Sequence, residues 1–189
     1  MPQLPASVPV PADGNYAEFI NQMEARSFSG VLGLRFTRAT AEEVVAELAI
    51  SERHHQPYGV VHGGVYASII ETLASVGAGI RAFAFNKSVL GLENHTSFLR
   101  AVRKGTLRAT GTPLSRGRRS QVWEVQIVDD AGELVATGRV RMLLLEPDAQ
   151  VAGNSLTLAA AADTARVDLA KTAAGEAAVR ADQGKGDSP

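Results

Sequence analysis

The chain has 189 residues, enough for one domain with a sizeable core and some extension. Lys and Arg number 19 against 20 Asp and Glu, a formal net charge of -1, so no global attraction to nucleic acid or an anionic membrane is expected. The absence of cysteine excludes disulfides, thiolate metal sites and a Cys nucleophile, and it fits a reducing, cytoplasmic setting.

Residues 1–14, MPQLPASVPVPADG, read as a flexible proline-rich leader, with no basic residue ahead of an apolar run as a secretory signal would have. Asn15 to Ser27 places Tyr16, Phe19, Ile20 and Met23 at helical spacing, which predicts a short amphipathic helix. GVLGLRFTRAT and EEVVAELAI then read as two strands. The stretch HHQPYGVVHGGVYASIIETLASVGAGI, His54 to Ile80, is a glycine-containing loop followed by an apolar run from Val65. At about 16 residues that run is shorter than the ~20 needed to span a bilayer, so a buried helix of a soluble protein is expected. Four strand-like runs follow, roughly Ser88 to Ala101, Thr106 to Pro113, Ser120 to Asp129 and Leu134 to Leu145. In the third, Trp123, Val125 and Ile127 share one face and Glu124 and Gln126 the other. LSRGRR and DDAG supply turn chemistry between them. An apolar helix with a meander of short-connected strands predicts an α+β domain over 15–146, a curved antiparallel sheet wrapped around one long central helix. Residues 147–189 read as an Ala-rich, low-complexity tail, since only six of those 43 residues are Leu, Ile, Val or Phe, and isolated helix is expected around Leu156 to Ala181.

Glu71 stands alone in the apolar run. A buried structural carboxylate would need an arginine partner such as Arg81, Arg100 or Arg103, yet the next cation along the helix is ten residues away. An isolated carboxylate among Ile69, Ile70, Leu73 and Val76 costs several kcal/mol unless function retains it. Just before it, His62, Gly63 and Gly64 open the helix. Glycine admits close approach of a ligand, and the first helical N–H groups have no intrahelical acceptor, a ready site for a developing oxyanion. Gln56, Thr72 and Ser75 add polar groups nearby. Gly63 and Glu71 are about 12 Å apart along a helix axis, so one carbonyl can meet both only if two subunits pair their helices antiparallel. A symmetric homodimer with two composite sites is therefore expected.

QPYGVVHGGVYASIIET, then VLGLENHTSFLRAVRKG and SQVWEVQIVDDAGELVATGRVRMLLL, resemble the hotdog-fold acyl-CoA thioesterases, over about Val31 to Leu145. The similarity is to the branch with phenylacetate-pathway, menaquinone-pathway and Arthrobacter-type 4-hydroxybenzoyl-CoA thioesterases. Its most specific piece is the Gln–x5–His–Gly–x7–Glu spacing of Gln56, His62, Gly63 and Glu71. The resemblance implies the hotdog fold and an acyl-CoA substrate, with Glu71 as nucleophile or general base. It gives the Gly63 N–H the task of polarising the thioester carbonyl, and Gln56 and His62 that of orienting the carbonyl or water. Ser75 falls where the family has a hydroxyl one turn beyond the carboxylate. Phe98 stands where menaquinone-pathway enzymes carry a histidine, which leaves His95, three residues earlier, as a substrate-contact candidate. Arg116, Arg118, Arg119 and Ser120 lie, by resemblance, near the nucleotide or pantetheine arm of CoA, and Gly64 and Thr72 are further substrate-binding candidates. Relatives are commonly tetramers, so a dimer of dimers is the implied assembly. A CoA thiolate leaves without a strong general acid, its pKa being near the ~8.5 of an ordinary thiol. An ionised Glu71 at neutral pH is expected, with flat activity down to pH ~5 compatible and activity rising only above pH ~8 contrary.

His54, His55, His62 and His95 contain no pair at i, i+4 spacing, so no metal and no cofactor is expected. No G-x-S-x-G occurs for a serine hydrolase. From another functional class, a non-catalytic hotdog sensor that binds acyl-CoA is the alternative, disfavoured by the joint presence of Gln56, His62, Gly63 and Glu71.

Overall fold

The computed structural model of the protein describes residues 11–155; the tail helix expected beyond Leu156 lies outside them, as does most of the leader. The chain divides after Glu146 into two compact units. The first begins with helices α1 (Ala17–Glu24) and α2 (Phe28–Leu32). Strands β1 (Arg35–Ala39) and β2 (Val44–Ala49) follow, then a 3-10 turn at Glu52–His54 and helix α3 (Gly63–Phe83). Four long strands complete it: β3 (Ser88–Phe98), β4 (Thr106–Arg116), β5 (Ser120–Val128) and β6 (Leu134–Leu145). The second unit contains a small hairpin of β7 (Gln150–Val151) and β8 (Asn154–Ser155), turned at Ala152 and Gly153, both with positive φ.

The six strands form one antiparallel sheet in the order β1-β2-β4-β5-β6-β3, with α3 packed across its face against β2 to β6. This is the hotdog arrangement. The alternation in β5 does what its pattern predicts: Trp123, Val125 and Ile127 are all fully buried under α3. Close approach of helix to sheet depends on small residues, since a Cβ on Gly77 would sit 2.2 Å from Trp123 Cη2. The indole N–H donates to Gln121 Oε1 at 3.0 Å, and the Gln121 amide donates to the Ala78 carbonyl at 3.3 Å, which satisfies the polar groups buried in that contact.

Several boundaries differ from the sequence-based expectation. Gly30 to Leu34 are not strand, because Ser27 caps a helical turn by accepting from the Ser29 N–H at 3.2 Å and Gly33, at φ +81°, ends it. β4 runs on through Pro113 to Arg116 by a register shift between Pro113 and Ser115, so Arg116 is a strand residue outside the turn. α3 is 21 residues long, and over its most apolar window it is long and apolar enough to cross a membrane by length and composition alone. Half of that window is buried, as in the core helix of a sheet protein.

The helix is also not covered all round. Val65, Tyr66, Ile69, Ile70, Leu73, Ala74, Gly77 and Ala78 are buried, whereas Ala67, Ser68, Glu71, Thr72, Ser75 and Val76 are only half-buried. Glu71 therefore lies on the open flank of the helix and not in its most buried stretch.

Candidate active site

His62 is the N-cap of α3, and its Nδ1 accepts from the Gly64 N–H at 2.9 Å. That bond needs an unprotonated Nδ1, so in the neutral ring the proton sits on Nε2, free to donate. The Val65 N–H donates to the His62 carbonyl at 2.9 Å. Of the first three helical N–H groups, that of Gly63, the oxyanion donor expected, is the one without an acceptor among the described residues. Gly64 is engaged with His62 and offers no N–H of its own. The loop that delivers this corner is tight: the Gln56 N–H donates to the Val60 carbonyl and the Gly59 N–H to the Gln56 carbonyl, each at 2.8 Å.

Gln56, His62, Gly63 and Gly64 line one cleft of about 520 Å³, whose other walls include Tyr66, Phe98 and Leu99. A Cβ on Gly63 would meet the Phe98 ring at 2.9 Å, so the ring covers the helix N-terminus. Tyr66 faces Phe98 with ring centroids 6.1 Å apart. Burial, together with the negative charge of Asp129, pushes the Tyr66 hydroxyl above the usual phenol range, which keeps it neutral.

Glu71 is not among the residues that line the cleft; it stands two helical turns further on. None of the arginines considered as structural partners binds it. Arg81 stacks 5.5 Å over the Phe85 ring, Arg100 pairs with Glu133 at 2.9 Å, and Arg103 donates to the Tyr58 and Gly59 carbonyls at 3.0 Å. What holds Glu71 is Asn94 on β3, whose amide donates to Glu71 Oε2 at 2.9 Å and to the Ala67 carbonyl at 3.1 Å. Thr96 Oγ1 donates to Asn94 Oδ1 at 2.7 Å and fixes which way the amide points. The other carboxylate oxygen, Oε1, fills the space beside Gly91.

Asn94 and Gly91 were missed in the sequence. Once packing sets Phe98 against α3, strand alternation puts Thr96 and Asn94 on the same face, whereas Gly91 falls out of that alternation across the register shift between Gly91 and Glu93. By the same alternation His95 is on the opposite face of β3 from Glu71, and the structure does not bring the two together. Ser75 follows Glu71 by one turn on the same helix flank, and Thr72 is its half-buried neighbour. His54 is structural: it is buried, its Nδ1 accepts from the Ser51 N–H at 3.0 Å and its Nε2 meets the Leu32 carbonyl at 2.9 Å.

The arginines separate. Arg116 is tied to the Glu42 carboxylate and donates to the Ala41 carbonyl at 2.9 Å, and its guanidinium holds the Glu42 carboxyl below the usual carboxylate range. Arg118 and Arg119 are exposed in the β4–β5 turn next to Ser120, with no ion-pair partner among the described residues. Arg118 joins Arg81, Phe85 and Lys87 around a second hollow of about 270 Å³.

Residues 58–136 match the Thioesterase superfamily. A Mycobacterium tuberculosis protein provisionally named an esterase is 41% identical over 121 residues, 63% of this chain and 86% of the relative. The 1,4-dihydroxy-2-naphthoyl-CoA hydrolase of Escherichia coli (strain K12) is 32% identical over 128 residues, 68% of this chain and 93% of the relative. The crystal structure of a Haemophilus influenzae thioesterase superposes with a TM-score of 0.65 at 30% identity, covering 69% of this chain and 90% of that one.

Proposed function

The chain belongs to the thioesterase superfamily, and from that premise we propose that it hydrolyses acyl- or aroyl-CoA thioesters at sites shared between two subunits. It is a thioester hydrolase; the substrate, the residue roles and the shared site are the reading argued here. The observation that carries it is a separation along α3. Gly63, with Gln56 and His62, lines the cleft, while the Glu71 carboxylate stands two turns away on an open flank.

In this reading the thioester carbonyl oxygen accepts from the Gly63 N–H of one subunit, with the Gln56 amide and the His62 Nε2–H orienting the carbonyl or the water. Glu71 of the other subunit acts on the same carbonyl carbon. As a nucleophile it forms a mixed anhydride and expels the CoA thiolate, and water then cleaves the anhydride to the free acid. As a general base it takes a proton from water, which adds to the carbonyl before the thiolate departs. Both routes consume one water and yield acid and CoA. The Asn94 amide binds only Oε2, so Oε1 keeps its lone pairs for either task. No strong acid is needed for so good a leaving group.

The test is release of free thiol from a panel of acyl-CoAs, read with a disulfide dye, for the wild type beside Glu71→Gln. The dye reports CoA alone, since the protein has no cysteine. Turnover should fall about 10²-fold or more in the variant while its melting temperature holds. Binding of acyl-CoAs without turnover by the wild type would reject hydrolysis and favour a ligand-sensing module. Full activity in Glu71→Gln would remove the carboxylate from the chemistry.

A further inference from the structure

Asn94 is an exposed residue of β3, where water could satisfy its side chain, yet the amide is committed to the protein at both ends. Nδ2 donates to Glu71 Oε2 at 2.9 Å and to the Ala67 carbonyl at 3.1 Å, which uses both of its hydrogens. Those two acceptors are related. Ala67 precedes Glu71 by one helical turn, so its carbonyl is also the one that takes the Glu71 backbone N–H in α3. One nitrogen thus ties the carboxylate to the turn of helix that carries it. Neither a carbonyl nor a carboxylate can donate, so the pair also decides which end of the amide faces Glu71. At the other end, Oδ1 accepts from Thr96 Oγ1 at 2.7 Å, on the same face of the strand. Hydrogen bonds at exposed positions add little to stability, since water competes for every partner. Their effect on geometry is larger: a free glutamate side chain samples many rotamers, and this network removes that freedom from the carboxylate.

We propose that Asn94 and Thr96 are positioning residues for the hydrolysis: Asn94 holds Glu71 Oε2 so that Oε1 is the oxygen presented to the thioester or to water, and Thr96 holds the Asn94 amide in place. This rests on the reading that Glu71 carries the chemistry. A neutral amide suits the task. It orients the carboxylate through directional bonds, whereas a lysine or arginine in its place would pair with the negative charge that attack or proton removal requires. Misplacing a reacting group by about 1 Å can cost about 10²-fold in rate, so a contact that adds little to stability can still be read in turnover.

The experiment measures kcat, KM, melting temperature and sedimentation coefficient for Asn94→Ala, Thr96→Val, Thr96→Ser and the Asn94→Ala/Thr96→Val double variant, beside Glu71→Gln. The substrate is the acyl-CoA that the wild type hydrolyses fastest. Asn94→Ala should lower kcat about 10-fold or more, with KM within about 2-fold of wild type and melting and sedimentation unchanged. Thr96→Val, of the same shape without the donor, should lower kcat about 3-fold or more, and Thr96→Ser, which keeps the hydroxyl, should recover most of that loss. In the Asn94→Ala background Thr96→Val should cost nothing further, because Thr96 acts only through the amide. Losses that follow melting temperature or sedimentation, without that coupling, would mark a structural role and overturn the proposal. An inactive Glu71→Gln beside a fully active Asn94→Ala overturns it and leaves the carboxylate reading intact. A raised KM at constant kcat in Asn94→Ala overturns it as well, since the amide would then be touching substrate. Full activity in Glu71→Gln, or no hydrolysis by the wild type, overturns both.

Discussion

Glu71 and Gly91 occupy adjoining volume: a Cβ on residue 91 would stand 2.3 Å from Glu71 Oε1. The atom in the way is the far end of a flexible side chain, so the carboxylate can swing aside at little cost in stability, but not while keeping its bond to Asn94. Gly91→Ala is therefore expected to change stability by no more than about 1 kcal/mol, while kcat drops at least about 10-fold. Thermal unfolding alongside the thiol-release assay checks both halves, and an Ala variant with full kcat would refute the placement of the carboxylate. Glu71 stood out in the sequence as a lone carboxylate in an apolar run, although the cost expected of full burial does not apply on the open flank where it lies. Its partners were not legible there. Asn94 is 23 residues away and Gly91 carries no chemistry of its own, so only the packing of β3 on α3 reveals either.

At the scale of elements, α3 and its glycine corner follow from local sequence: two glycines after His62, then an apolar run too long for a strand. The flank that the helix leaves open was not legible, since the run is apolar or small at almost every position and its periodicity is weak. The β4–β5 turn shows the converse. Three arginines close in sequence look like one basic cluster, but the strand extends past Pro113 and commits Arg116 to Glu42, leaving Arg118 and Arg119. If those two contact CoA phosphates, the Arg118→Ala/Arg119→Ala double variant should raise KM for acyl-CoA about 10-fold with kcat nearly unchanged. The effect should vanish for a thioester of pantetheine, which lacks the nucleotide. An unchanged KM for acyl-CoA would leave the turn as an exposed hairpin tip.

At the scale of the molecule, β3 is an 11-residue edge strand paired on one side only, with Leu92 50% and Leu90 39% exposed. A long, apolar edge of this kind is a template for strand pairing. α3 runs antiparallel beside β3, with Gly63 near Phe98, Ala67 near Asn94 and Glu71 near Gly91. Ala67 is midway between Gly63 and Glu71. A twofold axis close to Asn94 and His95 would therefore pair the two β3 edges antiparallel and bring Gly63 of one subunit toward Glu71 of the other. On that account His95, facing away from the carboxylate, belongs to the contact between subunits and not to the substrate. His95→Glu would set two like charges against each other across the axis. Sedimentation velocity should then show a shift to monomer, with activity lost at low protein concentration and regained as concentration rises. A monomeric variant with full activity would exclude composite sites. A dimer of dimers would use other faces, and the same sedimentation data on the wild type would report it.

The sequence by itself determined the class of fold and the long helix at its centre, and it singled out Gln56, His62, Gly63 and Glu71 as candidates. Those depend on run length, turn residues and the contrast of one charge with its apolar neighbours, all of which are local. It also determined that the donor and the carboxylate are too far apart on one helix to meet on one carbonyl, since helical rise per residue is fixed. Only the tertiary structure decided which flank of α3 stays open, that Asn94 holds the carboxylate in the space beside Gly91, that His95 turns away, and that Arg116 is tied to Glu42. Each of these is set by strand register and by helix-on-sheet packing between residues distant in sequence, and no local pattern encodes them.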